Sequence, residues 1–480
     1  MGLRKKLLIL ILTALVVLAV FFAYKIVRSR EASAGGGAGK SNGSIQITLD
    51  FNEEVGDIKP LNGINNGPLS KASVSDNGKV SFEFDVSDYY EEMNVPYVRL
   101  HDTEYPFGSD KFVDIHCIFP DFSADADDPA SYYFEASDVY IAGVLASGAE
   151  VMYRLGESID HTGDNTYINP PADYDKWAKI CEHIIRHYNE GWDNGFHYDI
   201  KYWEIWNEPD NSMMWTGSAE EYCRLYAVTA KHLKACFPNL LIGGPAFTGI
   251  NEETVRAFLD GIEDYDDVPL DFLSWHDYND SPAAFAVHAS SARSILDEYG
   301  YTDTLSVLNE WNYVESWEDQ TSSIEVRNSL KGAAYNAASL MAMQYNGVDM
   351  AMYYDGQYEF ADYYCGLYGR DRHIKPGFYA FKYWGELRNL GTQTKAEFNS
   401  EDGVLAVAAR SKSGLRGVLI VNYNEKSKRV KLKVSDAGLM ESVNIHRVND
   451  ESGETLKSSL MLFGQKSIRL KPGEIMYIGM

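Results

Sequence analysis

The sequence predicts a (β/α)8 barrel of parallel strands followed by a C-terminal β-sandwich, with an N-terminal transmembrane anchor ahead of both. Three observations carry this prediction. Eight short apolar runs recur between residues 60 and 390, and helical patterns fall between most of them. After Leu390 the pattern changes to short alternating runs divided by turn residues. Near the N terminus one run is long and uniformly apolar. Strands that alternate with helices form parallel sheets, and eight such units suit closure into a barrel. The other arrangement of the same pattern is an open doubly wound sheet, but no Gly-rich phosphate loop follows the first strand.

Taken in order, Arg4, Lys5 and Lys6 precede the apolar run Leu7 to Tyr24, and Lys25, Arg28 and Arg30 follow it. Its length is near the roughly 20 residues that span a bilayer. Residues 1–30 read as an uncleaved membrane anchor, with the large acidic part exported. A signal peptide cleaved after Ala34, releasing a secreted protein, is the alternative. Residues 31–43, with Gly35-Gly36-Gly37, read as a flexible linker. Residues 44–59 contain an alternating run, Ser44 to Phe51, expected to join the β-sandwich.

The barrel is expected over residues 60–390. Its strand candidates are Leu61 to Asn65, Pro96 to His101, Glu150 to Leu155, Tyr202 to Trp206, Leu240 to Gly244, Asp271 to His276, Leu305 to Asn309 and Asp349 to Tyr354. Helical spacing covers Tyr132 to Ser147, Ala172 to Tyr188, Ala219 to Cys236, Thr254 to Ile262, Ala292 to Tyr299, Ile324 to Tyr345 and Gly377 to Leu390. A hairpin is expected near Asp76-Asn77-Gly78. Residues 391–480 hold six further strand candidates, with tight turns at Ser413-Gly414 and Pro472-Gly473.

Composition excludes some functions. A net charge of -27 repels phosphate over most of the surface, which argues against nucleic acid. The 5 cysteines are scattered and include no C-x-x-C pair, so they form neither a disulfide framework nor a zinc pattern. No cofactor motif is evident.

Two strand ends carry the chemistry. The stretch Lys201 to Asp210, K-Y-W-E-I-W-N-E-P-D, is strand-like until Asn207, Glu208 and Pro209. Proline cannot continue the hydrogen-bond ladder, so Glu208 is placed at the sheet rim. Leu305 to Tyr313, L-S-V-L-N-E-W-N-Y, likewise reaches Glu310 between Asn309 and Trp311. Barrel strands of this kind open their C-terminal ends on one face, where two carboxylates can converge on a glycosidic bond.

W-E-I-W-N-E-P resembles the acid/base motif of clan A glycoside hydrolases, most closely family 39, the β-xylosidase family. Further likenesses occur in order. Asp114-Ile115, Tyr133-Phe134, Asp138 and Gly148-Ala149-Glu150-Val151 are similar to that family's second helix and third strand. Trp177, His187 and Tyr188 lie where the family has a tryptophan and a histidine, and Asp271-Phe272 with His276-Asp277-Tyr278 is similar to its sixth strand. The chain departs at Asn309, where Thr or Ser often precedes the glutamate, and after Tyr97 to Asp102.

The resemblance implies a retaining glycoside hydrolase with Glu208 as general acid/base, its pKa raised by Glu310, and Glu310 as nucleophile. The carbohydrate substrate would meet Asn207 at its 2-hydroxyl. Tyr278 would hold Glu310 charged, with His276 in phase beside it. Arg99 and His101 share a strand face and line the pocket, or form a network below it. Trp311 and Tyr354 complete the expected substrate-binding set, with Tyr353, Tyr354 and Asp355 as a stacking platform. Two other readings stand beside this one: a clan A enzyme on an arabinoside or exopolysaccharide, endo-acting in one version, and a non-catalytic carbohydrate-binding barrel.

Other features read as structural. His183 and His187 sit four apart, but the H-E-x-x-H order is missing and their helix is expected outside the barrel, so no metal site is expected. Asp121, Asp125, Asp127 and Asp128 lack calcium-loop spacing. Glu204 reads as a buried structural acid, and Glu157 as a lesser site candidate.

Overall fold

The computed structural model describes residues 44–77, 79–103, 112–159, 167–356, 364–435, 440–450, 453–462 and 467–480. The expected anchor and linker, residues 1–43, lie outside the described residues. Among the described residues no helix is long and apolar enough to cross a membrane.

Among the described residues nineteen strands follow in chain order: β1 Ile45–Asp57, β2 Gly63–Asn65, β3 Leu69–Val74, β4 Val80–Asp85, β5 Tyr97–Leu100, β6 Glu150–Leu155, β7 Tyr202–Ile205, β8 Leu241–Phe247, β9 Phe272–Asn279, β10 Leu305–Tyr313, β11 Met350–Tyr353, β12 Thr392–Glu397, β13 Val404–Arg410, β14 Arg416–Asn422, β15 Lys428–Val434, β16 Met440–Val448, β17 Glu454–Leu462, β18 Ile468–Leu470 and β19 Ile475–Gly479. The closed barrel runs β10-β11-β2-β5-β6-β7-β8-β9, with every pair parallel. Each of the eight expected barrel strands is present. β3 and β4 form the hairpin around Asp76 and Asn77.

Side-chain alternation divides the barrel interior into two layers. Met152, Phe272, Val307, Met350 and Met352 form an apolar plug, with Tyr97, Tyr202, Leu241 and Leu305 packed against it. Two residues further along their strands, Arg99, Arg154 and Glu204 occupy a polar layer, fully buried. The period of two thus stacks a hydrophobic floor beneath a charged layer that faces the C-terminal rim.

Each expected helix is present among the described residues, but the one expected at Ala292 to Tyr299 begins ten residues earlier, as Pro282–Glu298, the short helices Ser87–Glu92 and Ile115–Ile118 are additional, and one expected helix is divided. The expected single helix Ile324 to Tyr345 is two, Thr321–Arg327 and Leu330–Tyr345. Asn328 closes the first, and Ser329 caps the second, accepting hydrogen bonds from the Lys331 and Gly332 amides.

The second body is one continuous nine-stranded sheet, ordered β17-β16-β19-β14-β13-β12-β1-β15-β18. β1 pairs antiparallel with β12 and parallel with β15. Ile47, Val404, Ile420, Leu432, Val443 and Met476 share one core, so distant parts of the sheet fold over the same apolar filling. Tyr383, on the helix Pro376–Leu390, stacks on Tyr477 of β19 and ties the sheet to the barrel (centroids 5.4 Å apart).

Candidate active site

Glu208 owes its position to the way β7 ends. Trp206 and Glu208 both adopt left-handed backbone conformations (φ 75° and 47°), which turn the chain sharply at the rim. For non-glycine residues each such conformation costs about 1–3 kcal/mol, so the surroundings must hold it. They do so at two points. The Glu208 amide donates to Ala246 O at 3.0 Å, and Trp206 Nε1 donates to Met214 O at 2.9 Å.

Glu310 is aimed by a bulge in β10. Leu308 lies opposite Trp275, but Glu310 lies opposite His276, so Asn309 is the extra residue. Without it, alternation from Val307 and Asn309 would bring Trp311 inward. The bulge reverses the phase and sends Glu310 in. Trp311 therefore packs on the outside of the sheet against Phe285, Tyr335, Tyr353 and Phe381, fully buried. This corrects its expected role in substrate binding. Tyr353 points out with it, leaving Tyr354 alone of the expected platform at the cleft.

The two glutamates meet across His276. Its Nδ1 is 2.8 Å from Glu208 Oε1 and 3.4 Å from Glu310 Oε2. One oxygen of each carboxylate and a ring nitrogen all lie within 4.8 Å of one another. Tyr278 Oη donates to Glu310 Oε2 at 2.7 Å, and Asn211 Nδ2 donates to Glu208 Oε2 at 2.8 Å. Beneath them, Arg99 donates to Glu204 at 2.7 Å, to Glu310 Oε1 at 2.8 Å, to Asn207 Oδ1 at 2.8 Å and to Asn65 Oδ1 at 3.1 Å. Arg99 thus holds the site from below and does not line the cleft, which corrects one of the two expectations for it. Glu204 is the buried structural acid, also bonded by Asn309.

These contacts set the charges. Burial opposes ionisation of Glu208, but the His276 and Asn211 hydrogen bonds and the Arg99 charge outweigh it and hold its carboxyl below the ordinary range. That reverses the expected raised pKa. Both Glu208 oxygens already accept hydrogen bonds, which favours the anion. Glu310 is raised, chiefly by burial and with Glu208 adding to it, against the pull of His276 and Arg99. Burial works against the charged imidazole of His276, but Glu310 and Glu208 overcome it and raise its pKa. His276 Nδ1 stands between the two carboxylates, and both favour its charged form.

Arg99 is the fixed countercharge of this layer, and its loss leaves Glu204 buried without its cation. Arg99→Met is expected to lower stability by about 3–5 kcal/mol. Thermal unfolding of the variant beside the parent checks this; an unchanged midpoint would mean that Arg99 does not carry the stability of this layer.

A cleft of about 650 Å³ opens over the pair. Of the expected residues, Asn207, Glu208, His276, Tyr278, Glu310, His101 and Tyr354 line it. Met213, Thr248, Ile250 and Trp317 join them from loops that carry no periodic signal, and His288 from the helix Pro282–Glu298. Trp317 is 63% exposed and meets Tyr278 edge-on at 4.9 Å. An aromatic residue soon after the Glu310 strand was the one clue to it. Glu157 lies apart from these residues. It is bonded to His116, and burial pushes it up to about 7.

The sequence model of "Glycosyl hydrolases family 39" matches residues 83–357. The chain belongs to that family. The β-xylosidase of Geobacillus stearothermophilus is 26% identical over 310 residues, 58% of this chain and 56% of that protein. The match thus spans little more than half the curated relative's length. The solved structure of a glucosidase from Croceicoccus marinus superimposes with a TM-score of 0.73 at 22% identity, over 92% of this chain and 99% of that one. An α-L-arabinofuranosidase from Thermotoga maritima superimposes at 0.66 with 16% identity, over 91% and 100%. At these identities the two structures share the family 39 chain's fold, including the appended sheet.

Proposed function

We propose that this family 39 chain is a retaining glycoside hydrolase, β-xylosidase-like, that works by double displacement. The observation that carries this reading is the approach of the two carboxylates, with oxygens within 4.8 Å of each other. Retaining enzymes hold their carboxyl groups about 5–5.5 Å apart, whereas inverting ones leave about 6.5–9.5 Å for a water.

In the first step Glu310 attacks the anomeric carbon and the bond to the leaving oxygen breaks. Glu208 gives that oxygen a proton, which it draws from His276 Nδ1, 2.8 Å away. Arg99 and Tyr278 hold the Glu310 carboxylate in line for attack. Arg99 also occupies Asn207 Oδ1, which leaves the amide nitrogen as the donor for the sugar's 2-hydroxyl. Once Glu310 is esterified its charge is gone. Glu208 then takes a proton from water and returns it to His276, the hydroxide attacks the same carbon, and the ester breaks with net retention.

The pH dependence follows from the directions of the shifts. Glu310 must be ionised, and its pKa is raised above the ordinary 4.5, so activity falls with acid through a limb above 4.5. The shared proton must be present, and His276 is raised above 6.5, so activity falls with base through a limb above 6.5. Both limbs belong to the coupled group rather than to single residues. A kcat/KM profile checks them, and His276→Gln is expected to move the basic limb. A basic limb unmoved in that variant would remove His276 from the proton path.

The glycone is proposed as xylose from the family's relatives. Turnover on a panel of nitrophenyl β-xyloside, α-arabinofuranoside, β-glucoside and β-galactoside, with polysaccharides alongside, tests it. Preference for another glycoside would reassign the sugar, and cleavage of polysaccharide alone would make the enzyme endo-acting. Sugar binding without any cleavage would favour the non-catalytic barrel. The apolar run Leu7 to Tyr24 supports membrane anchorage with the catalytic body outside. Protease accessibility of that body on intact cells tests this, and its protection would reverse the orientation.

A further inference from the structure

The helices Tyr174–Glu190 and Ala219–Cys236 stand before and after β7, the strand that delivers Glu208. Three side chains with metal-ligand chemistry meet where these helices pack. His232 and Cys236 are four residues apart on one helix, so they share a face one turn apart. Glu182 reaches them from the other helix. Its Oε2 is 2.7 Å from His232 Nε2, and one ligand atom from each of the three lies within 4.8 Å of the others. Glu182 is buried, whereas the His232 side chain is 34% exposed, which leaves the cluster open on one side. Among the described residues lining the active-site cleft, none belongs to this cluster.

The surrounding charges suit a divalent ion. Two fixed cations lie against Glu182, and each has a second carboxylate of its own. Lys179 reaches Asp127 at 3.2 Å, and Arg186 reaches Glu190. Three carboxylates facing two cations leave one negative charge over, and a Cys236 thiolate makes two. Arg186 bonds Glu182 Oε1 and orients the carboxylate, leaving Oε2 for the ion. Lys179 Nζ, 3.3 Å from Oε2, is shared with Asp127 Oδ1 at 3.2 Å.

We propose that Glu182, His232 and Cys236 form a binding site for a thiophilic divalent cation of the zinc class, clamping together the two helices that flank β7. An imidazole nitrogen, a thiolate and a carboxylate oxygen are zinc ligands, and the open side supplies a fourth position for water. Binding displaces the thiol proton, and the imidazole proton moves from Nε2 to Nδ1, so the ion replaces the hydrogen bond that now joins His232 to Glu182. His183 and His187, with their suggestive spacing, take no part. His183 Nδ1 bonds Lys179 O, and His187 is stacked on Phe134 and bonded to Asp138.

The test uses the full-length, metal-free protein without a histidine tag. Zinc is titrated by calorimetry and cadmium by ultraviolet absorbance, beside Cys236→Ser and His232→Ala. The expected result has three parts: one zinc per chain with a higher unfolding temperature, a thiolate-to-cadmium charge-transfer band, and at least about tenfold weaker zinc binding in each variant, with the band absent in Cys236→Ser. Glycoside turnover of the metal-free Cys236→Ser protein is expected to match the parent, so a failure here is distinct from a failure of the proposed reaction. No zinc binding by the parent, or binding and a band unchanged in Cys236→Ser, would overturn the proposal; the second outcome would place the ion at another cluster.

Discussion

Glu310→Ala is expected to lower turnover by at least about 10⁴-fold, the scale on which removing a covalent nucleophile acts. The loss has a geometric cause. Glu310 is the carboxylate that Arg99 and Tyr278 fix at 2.8 and 2.7 Å, and the bulge at Asn309 exists in this strand at the point that turns it inward. The truncation opens a space beneath the anomeric carbon. Azide entering that space attacks directly and yields the glycosyl azide of inverted configuration, while Glu208 still protonates the leaving group. The product, identified by NMR, checks the assignment. Recovery without azide, or no rescue by any small anion from a folded variant that binds sugar, would count against Glu310 as nucleophile.

Glu208→Ala is expected to act differently on different substrates. Glycosides with poor leaving groups, such as natural oligosaccharides, need the proton and are expected to lose about 10²–10⁴-fold. Nitrophenyl glycosides leave without assistance, so their first step survives and the glycosyl-enzyme accumulates for want of a base. A rapid burst of nitrophenol followed by slow turnover is the signature. Azide attacks that intermediate from the face opposite Glu310, so the product here is the azide of retained configuration. Opposite azide products from the two variants separate the two roles. Equal losses on both substrate classes would mean that Glu208 acts on the fold or on binding rather than as acid and base.

Much of this was legible in the sequence because barrel strands are short apolar runs with fixed ends. Pro209 stops β7, and the carboxylate before it falls at the rim. The closed order of eight strands follows from the count and from the helices between them. Phase was less legible. A bulge leaves no mark in composition, so the expectation that Trp311 meets the substrate beside Glu310 had no warning of the extra residue Asn309, which turns Trp311 to the outside of the sheet. Arg99 was readable as facing inward, but the strand pattern does not say how deep it lies; the short distance to Glu204 puts it below the site. The charge on Glu208 was misjudged for a similar reason. The effect of a neighbouring carboxylate was foreseeable, but His276 and Asn211, which donate to both its oxygens, come together only in the fold. Met213, Ile250 and Trp317 sit on loops, where neither period two nor period 3.6 gives a direction.

The central claim is that two carboxylates within 4.8 Å act in succession on one anomeric carbon. Proton NMR of a β-glycoside during hydrolysis reads this directly, because the first sugar released carries the stereochemistry of the reaction. The β-anomer is expected first, with the α-anomer growing only as mutarotation proceeds. Initial release of the α-anomer would mean a single displacement by water, and would contradict both the role of Glu310 and the geometry on which it rests.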